Sequence, residues 1–190
     1  VKFDAQKSFA PITEIMMSPA VLVIGPSLQV KSLSELIALA KKQPGKLSFA
    51  STGSASVPHV SAELFQQRAK VNLLHVPYRG AGLALNDLLG GQVDIFFMTA
   101  LSAIPHIQSG KAFPLAVTSK NPLPQLPNVP TMAQAGIQDL ELESWNGLLA
   151  PAGTPKPIID KLYREVAKIL ADPEVRKTFE DQAAVVVGST

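Results

Sequence analysis

Up to Lys120, short apolar runs alternate with amphipathic, helix-like segments. The strand-like runs lie at residues 11–25, 47–50, 72–76, 93–98 and 115–118. The helix-like segments lie at residues 32–43, 57–68, 83–89 and 102–108. The first of these helices carries Ser32 and Glu35 at the spacing of a capping box. The alternation is typical of an α/β protein whose doubly wound sheet is rich in parallel strands.

The chain changes character after Lys120. Residues 121–130 hold four prolines and predict an extended connector. Beyond it the pattern predicts a strand at 144–150, helices opened by Thr154-Pro155 and Asp172-Pro173, and a short strand at 184–187. These elements are too few for a domain of their own. We therefore expect a complete α/β ligand-binding lobe at 17–119. Segments 1–16 and 120–190 are expected to supply the crossovers and the C-terminal part of an incomplete second lobe.

Three strand-to-helix loops are the candidate functional segments. Right-handed crossovers would bring the loops after Ala50, Val76 and Met98 to one edge of the sheet. Helix N-termini at such an edge offer backbone N–H groups and a positive dipole end, and both favour an anion. The sequence therefore predicts a site for a small acidic solute.

Each loop also has a simpler reading. The first loop, 51–56, holds four hydroxyl residues and a glycine, although a helix cap needs only one hydroxyl. The second loop, 77–82, has two glycines that would let the backbone approach a ligand, or it is an ordinary turn. In the third loop Thr99 could reach a ligand. His59 would lie close to the first loop, although a packed histidine is the commoner outcome.

Composition excludes several classes of protein. Of the 190 residues 46% are hydrophobic and 17% charged, with a net charge of +2 and no basic run, so no nucleic-acid partner is expected. The absence of cysteine excludes thiolate chemistry. The three histidines lack metal-ligand spacing, and no nucleotide-binding fingerprint occurs, so we expect neither a metal nor a cofactor.

A hydrolase that pairs Ser51 or Ser54 with His59 is a weak alternative. We expect His75 and Trp145 to be structural, and Asp87 to face solvent.

Several motifs carry a family resemblance. They are STGS at 51–54, HVPYRG at 75–80, DLLGGQVD at 87–94 and GLLAPAGTP at 147–155. Together with FAPIT at 9–13 and PNVPT at 127–131 they follow one another in order over nearly the whole chain. In this the chain resembles the solute receptors of tripartite tricarboxylate transporters, the Bug proteins.

The resemblance implies a fold like that of the type II periplasmic binding proteins, with two α/β lobes that close on a ligand. It implies a periplasmic receptor, not an enzyme, that binds a small carboxylate (a di- or tricarboxylate or an amino acid). The receptor would deliver this ligand to the membrane permease subunits of the transporter. It also places ligand donors on the loops at 51–54 and 78–81. The candidate ligand-binding residues are therefore Ser51, Thr52, Gly53, Ser54, His59, Tyr78, Gly80, Ala81 and Thr99.

The chain also departs from the family pattern. Family members carry a further N-terminal segment of roughly one domain's length, which we expect to be missing here. A homodimer formed through the incomplete lobe is therefore an expected partner state. At 97–99 the chain has Phe-Met-Thr where the family often has Phe-Asp-Asn. The ligand-sensing effector domain of a LysR-type transcription regulator, which shares a two-lobed plan, is the main alternative.

Overall fold

The computed structural model describes residue 4 and residues 6–189 of the chain. Its strands are β1 (Phe9–Ile24), β2 (Ser48–Ser51), β3 (Leu74–Pro77), β4 (Ile95–Thr99), β5 (Phe113–Val117), β6 (Glu143–Pro151) and β7 (Val185–Val186). Its helices are α1 (Leu33–Lys42), α2 (Val57–Ala69), α3 (Ala81–Leu89), α4 (Ala100–Gln108), α5 (Lys156–Leu170) and α6 (Pro173–Glu180). The elements divide between two compact units, which are described separately.

The larger unit, Pro19–Ser144, is built on a sheet with the strand order β3-β2-β4-β1-β5. Strand β2 runs parallel to β3 and β4, whereas β1 runs antiparallel to β4 and β5. Four strands therefore point one way and β1 points the other. The predicted α/β fold with a parallel-rich sheet is confirmed, and the apolar run at 11–25 forms part of one continuous strand.

The apolar runs of the sequence form the core of this unit. Leu22, Phe49 and Phe97 come from three neighbouring strands and are fully or almost fully buried. From α2, Phe65 packs against this cluster, with its ring centroid 6.1 Å from that of Phe97. Central strands covered on both faces explain why these segments show little polar alternation.

Local sequence signals account for the helix boundaries in this unit. The hydroxyl of Ser32 accepts a hydrogen bond from the Glu35 N–H at 3.2 Å, as the capping spacing predicts. The Glu35 carboxylate accepts from the N–H of Lys31 at 2.8 Å, one residue further back than in a full capping box. Helices α3 and α4 begin two residues earlier than the apolar pattern indicated, directly after Gly80 and Thr99.

The segment after β5 stays with the larger unit. Val117 forms a parallel bridge with Thr131, and the Thr118 hydroxyl donates to the Leu142 carbonyl at 2.5 Å. Residues 131–136 form turns, in which the Thr131 and Gln134 side chains each accept a hydrogen bond from the other residue's N–H. The larger unit thus continues to Ser144, beyond the predicted lobe limit of 119. The division into a complete lobe and part of a second one stays a prediction.

The smaller unit joins the described residues of Val1–Ser18 to those of Trp145–Thr190. Strand β7 pairs antiparallel with β1, placing Met16 opposite Val186. Helix α5 is strongly amphipathic, yet among its side chains only Leu170 is buried. Within the described residues, no helix combines the length and apolar character needed to cross a membrane.

Candidate functional site

The three candidate loops leave the sheet at the same edge. Ser51 lies opposite Pro77 in the parallel register of β2 and β3, and Ala50 lies opposite Phe96 in β4. Because the three strands are parallel, α2, α3 and α4 all begin beyond their carboxyl ends. This is the edge at which ligands bind in open α/β sheets.

The three helices that begin at this edge share an N-terminus without a side-chain cap, a feature that α5 shows as well. Their N-cap residues are Ser56, Gly80 and Thr99, and none accepts a side-chain capping bond from its helix. The Ser56 hydroxyl donates instead to the Gly53 carbonyl at 2.7 Å, and the Thr99 hydroxyl donates to Ser102 Oγ at 3.1 Å. By contrast, α1 and α6 are both capped by side chains. The three N-termini therefore present first-turn N–H groups to which the cap side chain offers no acceptor.

A cleft of about 260 Å³ opens among these N-termini. Its lining residues are Thr52, Val57, Pro58, Ala81, Phe96, Phe97, Met98, Thr99, Ser102 and Ser144. The lining combines four hydroxyl groups with an apolar wall from β4, and no ionisable side chain of the described residues contributes to it. An anion in this cleft would be held by neutral donors and helix dipoles and would not meet a fixed counter-charge.

Two glycines shape the loops around the cleft. Gly53 has φ +125° and Gly80 has φ +136°, a backbone region that side chains rarely adopt. A Cβ atom added at either position would meet no heavy atom within 4 Å. Backbone conformation, and not lack of space, is therefore the reason that glycine is needed at both turns.

Of the predicted residues, only Thr52, Ala81 and Thr99 line the cleft itself. Ser54 and His59 line a separate open groove along α2, which also contains Glu63. In that groove His59 Nδ1 accepts from the N–H of Ala55 at 3.4 Å, and His59 Nε2 lies 3.9 Å from Glu63. Ser54 and His59 thus line this groove and not the cleft.

Tyr78 is tied to the helix that follows its loop. Its hydroxyl donates to the Asp87 carboxylate at 2.8 Å. Burial, the hydrogen bond to Asp87 and the charge of Asp87 together raise the pKa of Tyr78 to about 12. Asp87 was expected to face solvent, but it is half-buried on α3. Tyr78 therefore braces its loop against α3, with its donor tip already engaged.

Ser51 is fully buried, and its hydroxyl is engaged by His75. The Ser51 Oγ lies 2.6 Å from His75 Nε2, and it also accepts from the N–H of Gly53 at 3.2 Å. The hydrolase alternative required an accessible Ser51 or a Ser54 paired with His59. The structure pairs a buried Ser51 with His75 instead. Ser54 and His59 line one groove, in which the described contacts of His59 are to the Ala55 N–H and to Glu63.

Sequence reasoning missed His75 as part of this region. The His75 ring stacks on Phe49 with centroids 4.8 Å apart, and the His59 ring lies 4.3 Å away. Burial and the neighbouring His59 lower the pKa of His75, and Glu63 partly offsets them. The parallel register of β2 and β3 supplies the signal, because it puts Phe49 opposite His75.

The mixed sheet, with one reversed strand and helix N-termini gathered at one edge, is the fold of a periplasmic binding protein. Three solved structures of such proteins share it over 96–98% of this chain and 61–63% of their own length. They are R. palustris Rpa4515 with adipate (32% identity, TM-score 0.94), the periplasmic binding protein BugD (34%, 0.91) and MatC from Rhodopseudomonas palustris with bound malate (32%, 0.91).

A family model described as "Tripartite tricarboxylate transporter family receptor" matches residues 1–189, and the chain belongs to this family. It is 38% identical to the UPF0065 protein in the tcbD-tcbE intergenic region of Pseudomonas sp. strain P51, over 99% of the chain. It is 34% identical to protein BugT of Bordetella pertussis, over the full chain. The chain spans 56% and 58% of the length of these two relatives. The family resemblance read from the sequence is thereby confirmed.

Proposed function

We propose that the chain is the ligand-binding part of a periplasmic receptor for a small carboxylate. The observation that carries this proposal is the convergence of three helix N-termini, without side-chain caps, on a hydroxyl-lined cleft. Bound adipate and malate in two of the similar receptors support the same class of ligand. The family further supports delivery of the solute to the membrane permease subunits of a tripartite transporter.

The proposed contacts follow from the geometry of the cleft. Thr52, Ala81 and Thr99 would meet the carboxylate, joined by Ser102 and Ser144, which the sequence did not single out. Gly53 and Gly80 would shape the loops that carry these donors. Ser51 and Tyr78 would act indirectly, since each is committed to a bond with another side chain. For Ser54 and His59 a ligand contact is the weakest part of the proposal, because they line a different groove.

Binding by this chain alone should be weak. Each helix N-terminus contributes about 0.3–1 kcal/mol to an exposed anion, so three contribute roughly 1–3 kcal/mol. A dissociation constant of 1 mM already requires about 4 kcal/mol. Since the chain spans little more than half of its relatives' length, further contacts would come from the remainder of the receptor.

The proposal is for a binding protein without catalytic activity. Its cleft offers no ionisable lining residue for acid or base chemistry, and the buried Ser51 is not placed to attack a substrate. The family match over 189 residues favours a transport receptor over the LysR-type effector domain. Association of two chains through α5 also stays a proposal, supported by its exposed Ile158 and Ile169.

Titration of the labelled chain with millimolar adipate or malate, followed by amide NMR shifts, tests the proposal. We expect saturable shifts at Thr52, Ala81 and Thr99, and none with adipamide, which has the same length but no charge. Thr99→Val should weaken adipate binding several-fold. Thr178→Val, which removes an exposed hydroxyl on α6, is the matched control and should leave binding unchanged. Equal shifts with adipate and adipamide, or shifts spread over the whole chain, would contradict the proposal.

A further inference from the structure

His75 connects the candidate loop to a small cluster of rings. It lies in β3, next to Ser51 of β2, and its ring stacks on Phe49 and lies 4.3 Å from the ring of His59. Among the described residues, the hydroxyl of Ser51 lies within hydrogen-bonding distance of His75 Nε2. This contact, at 2.6 Å, is also among the shortest side-chain hydrogen bonds of the described residues.

The Ser51 hydroxyl has one proton to give and three neighbours. It accepts from the Gly53 N–H at 3.2 Å, and it lies 2.6 Å from His75 Nε2 and 3.2 Å from the Gly53 carbonyl. The Gly53 carbonyl also accepts from the Ser56 hydroxyl at 2.7 Å. Which atom donates in the short contact depends on the imidazole tautomer. We assign the donor to the Ser51 hydroxyl, because the Gly53 carbonyl already accepts the shorter bond from Ser56. This arrangement fixes the rotamer of Ser51, and with it the N–H of Gly53.

We infer that His75 is a positioning residue, which holds the turn at Gly53 in its binding shape through the Ser51 hydroxyl and couples carboxylate binding to its own protonation. The inference rests on the proposed function, because it assigns a role to the loop that would receive the carboxylate. His75 is not among the residues that line the cleft. It acts on the turn that delivers Thr52 to the cleft and leads into the N-terminus of α2.

The direction of the pH effect follows from the surroundings of His75. The titratable groups that act on it are His59 and Glu63 from α2, whereas Phe49 and Ser51 of β2 carry no charge. Burial and His59 lower the pKa of His75, so the ring takes up its proton only on the acid side of its usual value. The folded state then binds fewer protons than the unfolded chain, and its stability falls as the pH drops through that window.

Protonation would redirect the hydroxyl without breaking the contact. A proton from solvent adds to Nε2, which becomes the donor, and the Ser51 hydroxyl turns to the Gly53 carbonyl at 3.2 Å. The ring then carries a positive charge beside an anion-binding turn. A bound carboxylate favours that charged form, so adipate affinity should rise as the pH falls from about 8 to about 5.

The positioning role can be tested without a ligand. Hydrogen exchange of the Gly53 amide is measured between about pH 5 and 8 and expressed as a protection factor. His75→Phe keeps the ring on Phe49 but removes the polar atom, and His75→Gln keeps a polar atom near the position of Nε2. His106→Gln, which changes a histidine on α4 outside the cluster, is the control. We expect protection of Gly53 to fall about two- to tenfold in His75→Phe, and to stay near the wild-type value in the other two variants.

Each alternative pattern overturns the positioning role. Unchanged protection in His75→Phe means that the hydrogen bond does not hold the turn. A loss in His75→Gln that equals or exceeds the loss in His75→Phe means that the ring acts through packing alone. A pH dependence of Gly53 protection that survives in His75→Gln means that a different group titrates.

An adipate titration separates this inference from the proposed function. We expect adipate affinity to fall several-fold in His75→Phe. In His75→Gln, adipate affinity should lack the rise that the wild-type chain shows as the pH falls from about 8 to about 5. If His75→Phe bound adipate as tightly as the wild-type chain does, the coupling would be refuted, and the receptor function would stand. If no form of the chain bound adipate or malate, the receptor function would fail, and the exchange data alone would decide the positioning role.

Discussion

Replacing Gly80 by alanine isolates the cost of a backbone conformation. Gly80 has φ +136° and ψ +164°, which lies in a region that only glycine occupies readily. An added Cβ would meet no heavy atom within 4 Å, so no steric clash contributes. Strain of this kind costs about 1–3 kcal/mol. For a chain of this size the melting temperature should fall by roughly 2–12 °C.

A second glycine two residues further on supplies the control. Gly82 lies in the first turn of α3, its φ is not in the positive region, and a Cβ would again meet nothing within 4 Å. Because alanine is the better helix former, Gly82→Ala should stabilise the protein by up to about 1 kcal/mol. The two substitutions add the same methyl group and should move stability in opposite directions.

Urea unfolding at equal protein concentration, followed by circular dichroism, measures both changes. The loop of Gly80→Ala can relax toward a more ordinary conformation, which would reduce the measured cost and move Ala81 at the cleft. Adipate binding should therefore weaken together with stability. A Gly80→Ala protein as stable as wild type would show that the backbone conformation at Gly80 does not require glycine. A Gly82→Ala protein that loses as much stability as Gly80→Ala would show the same.

Two further substitutions test single hydrogen-bonding groups. The Ser61 hydroxyl is buried in α2 and has no hydrogen-bond partner among the described residues. Ser61→Ala should therefore stabilise the protein by about 1 kcal/mol, and a lower unfolding midpoint in urea would contradict this. Tyr78→Phe should abolish an ultraviolet phenolate titration with a midpoint of about 12. Because folding raises the pKa of Tyr78, its contribution to stability is present below about pH 10 and is lost as the pH rises towards 12. Tyr78→Phe should therefore lose less stability than wild type over that alkaline range, and parallel losses would contradict the assignment.

The larger features of the fold were predictable from the sequence because they depend on repeated, local signals. The apolar runs around Phe49 and Phe97, each followed by a helical period, fixed both the class of sheet and the edge at which its loops meet. The capping spacing at Ser32 placed the start of α1. What the alternation did not reveal was the reversed strand β1, since an apolar run carries no information about its direction.

The details of the candidate site depended on contacts between distant residues. Asp87 has the helical position of a solvent-facing residue, but Tyr78 reaches across its loop to bond it. Ser51 and His75 are 24 residues apart and meet only because β2 and β3 pair in one particular register. Trp145, expected to be structural, is 63% exposed and lines a cavity with Glu14. The local pattern of hydrophobic and polar residues does not indicate any of these contacts.

The two compact units differ in how they are laid out along the chain. The larger one is a single stretch, Pro19–Ser144, whereas the smaller one unites residues before Pro19 with residues after Ser144. The ribosome synthesises the chain from its N-terminus to its C-terminus, and domains generally fold as they emerge. The larger unit can thus mature during synthesis, while Met16 must wait for Val186 before its pairing can form. Until Val186 has been synthesised, this half of β1 lacks the pairing that β7 supplies.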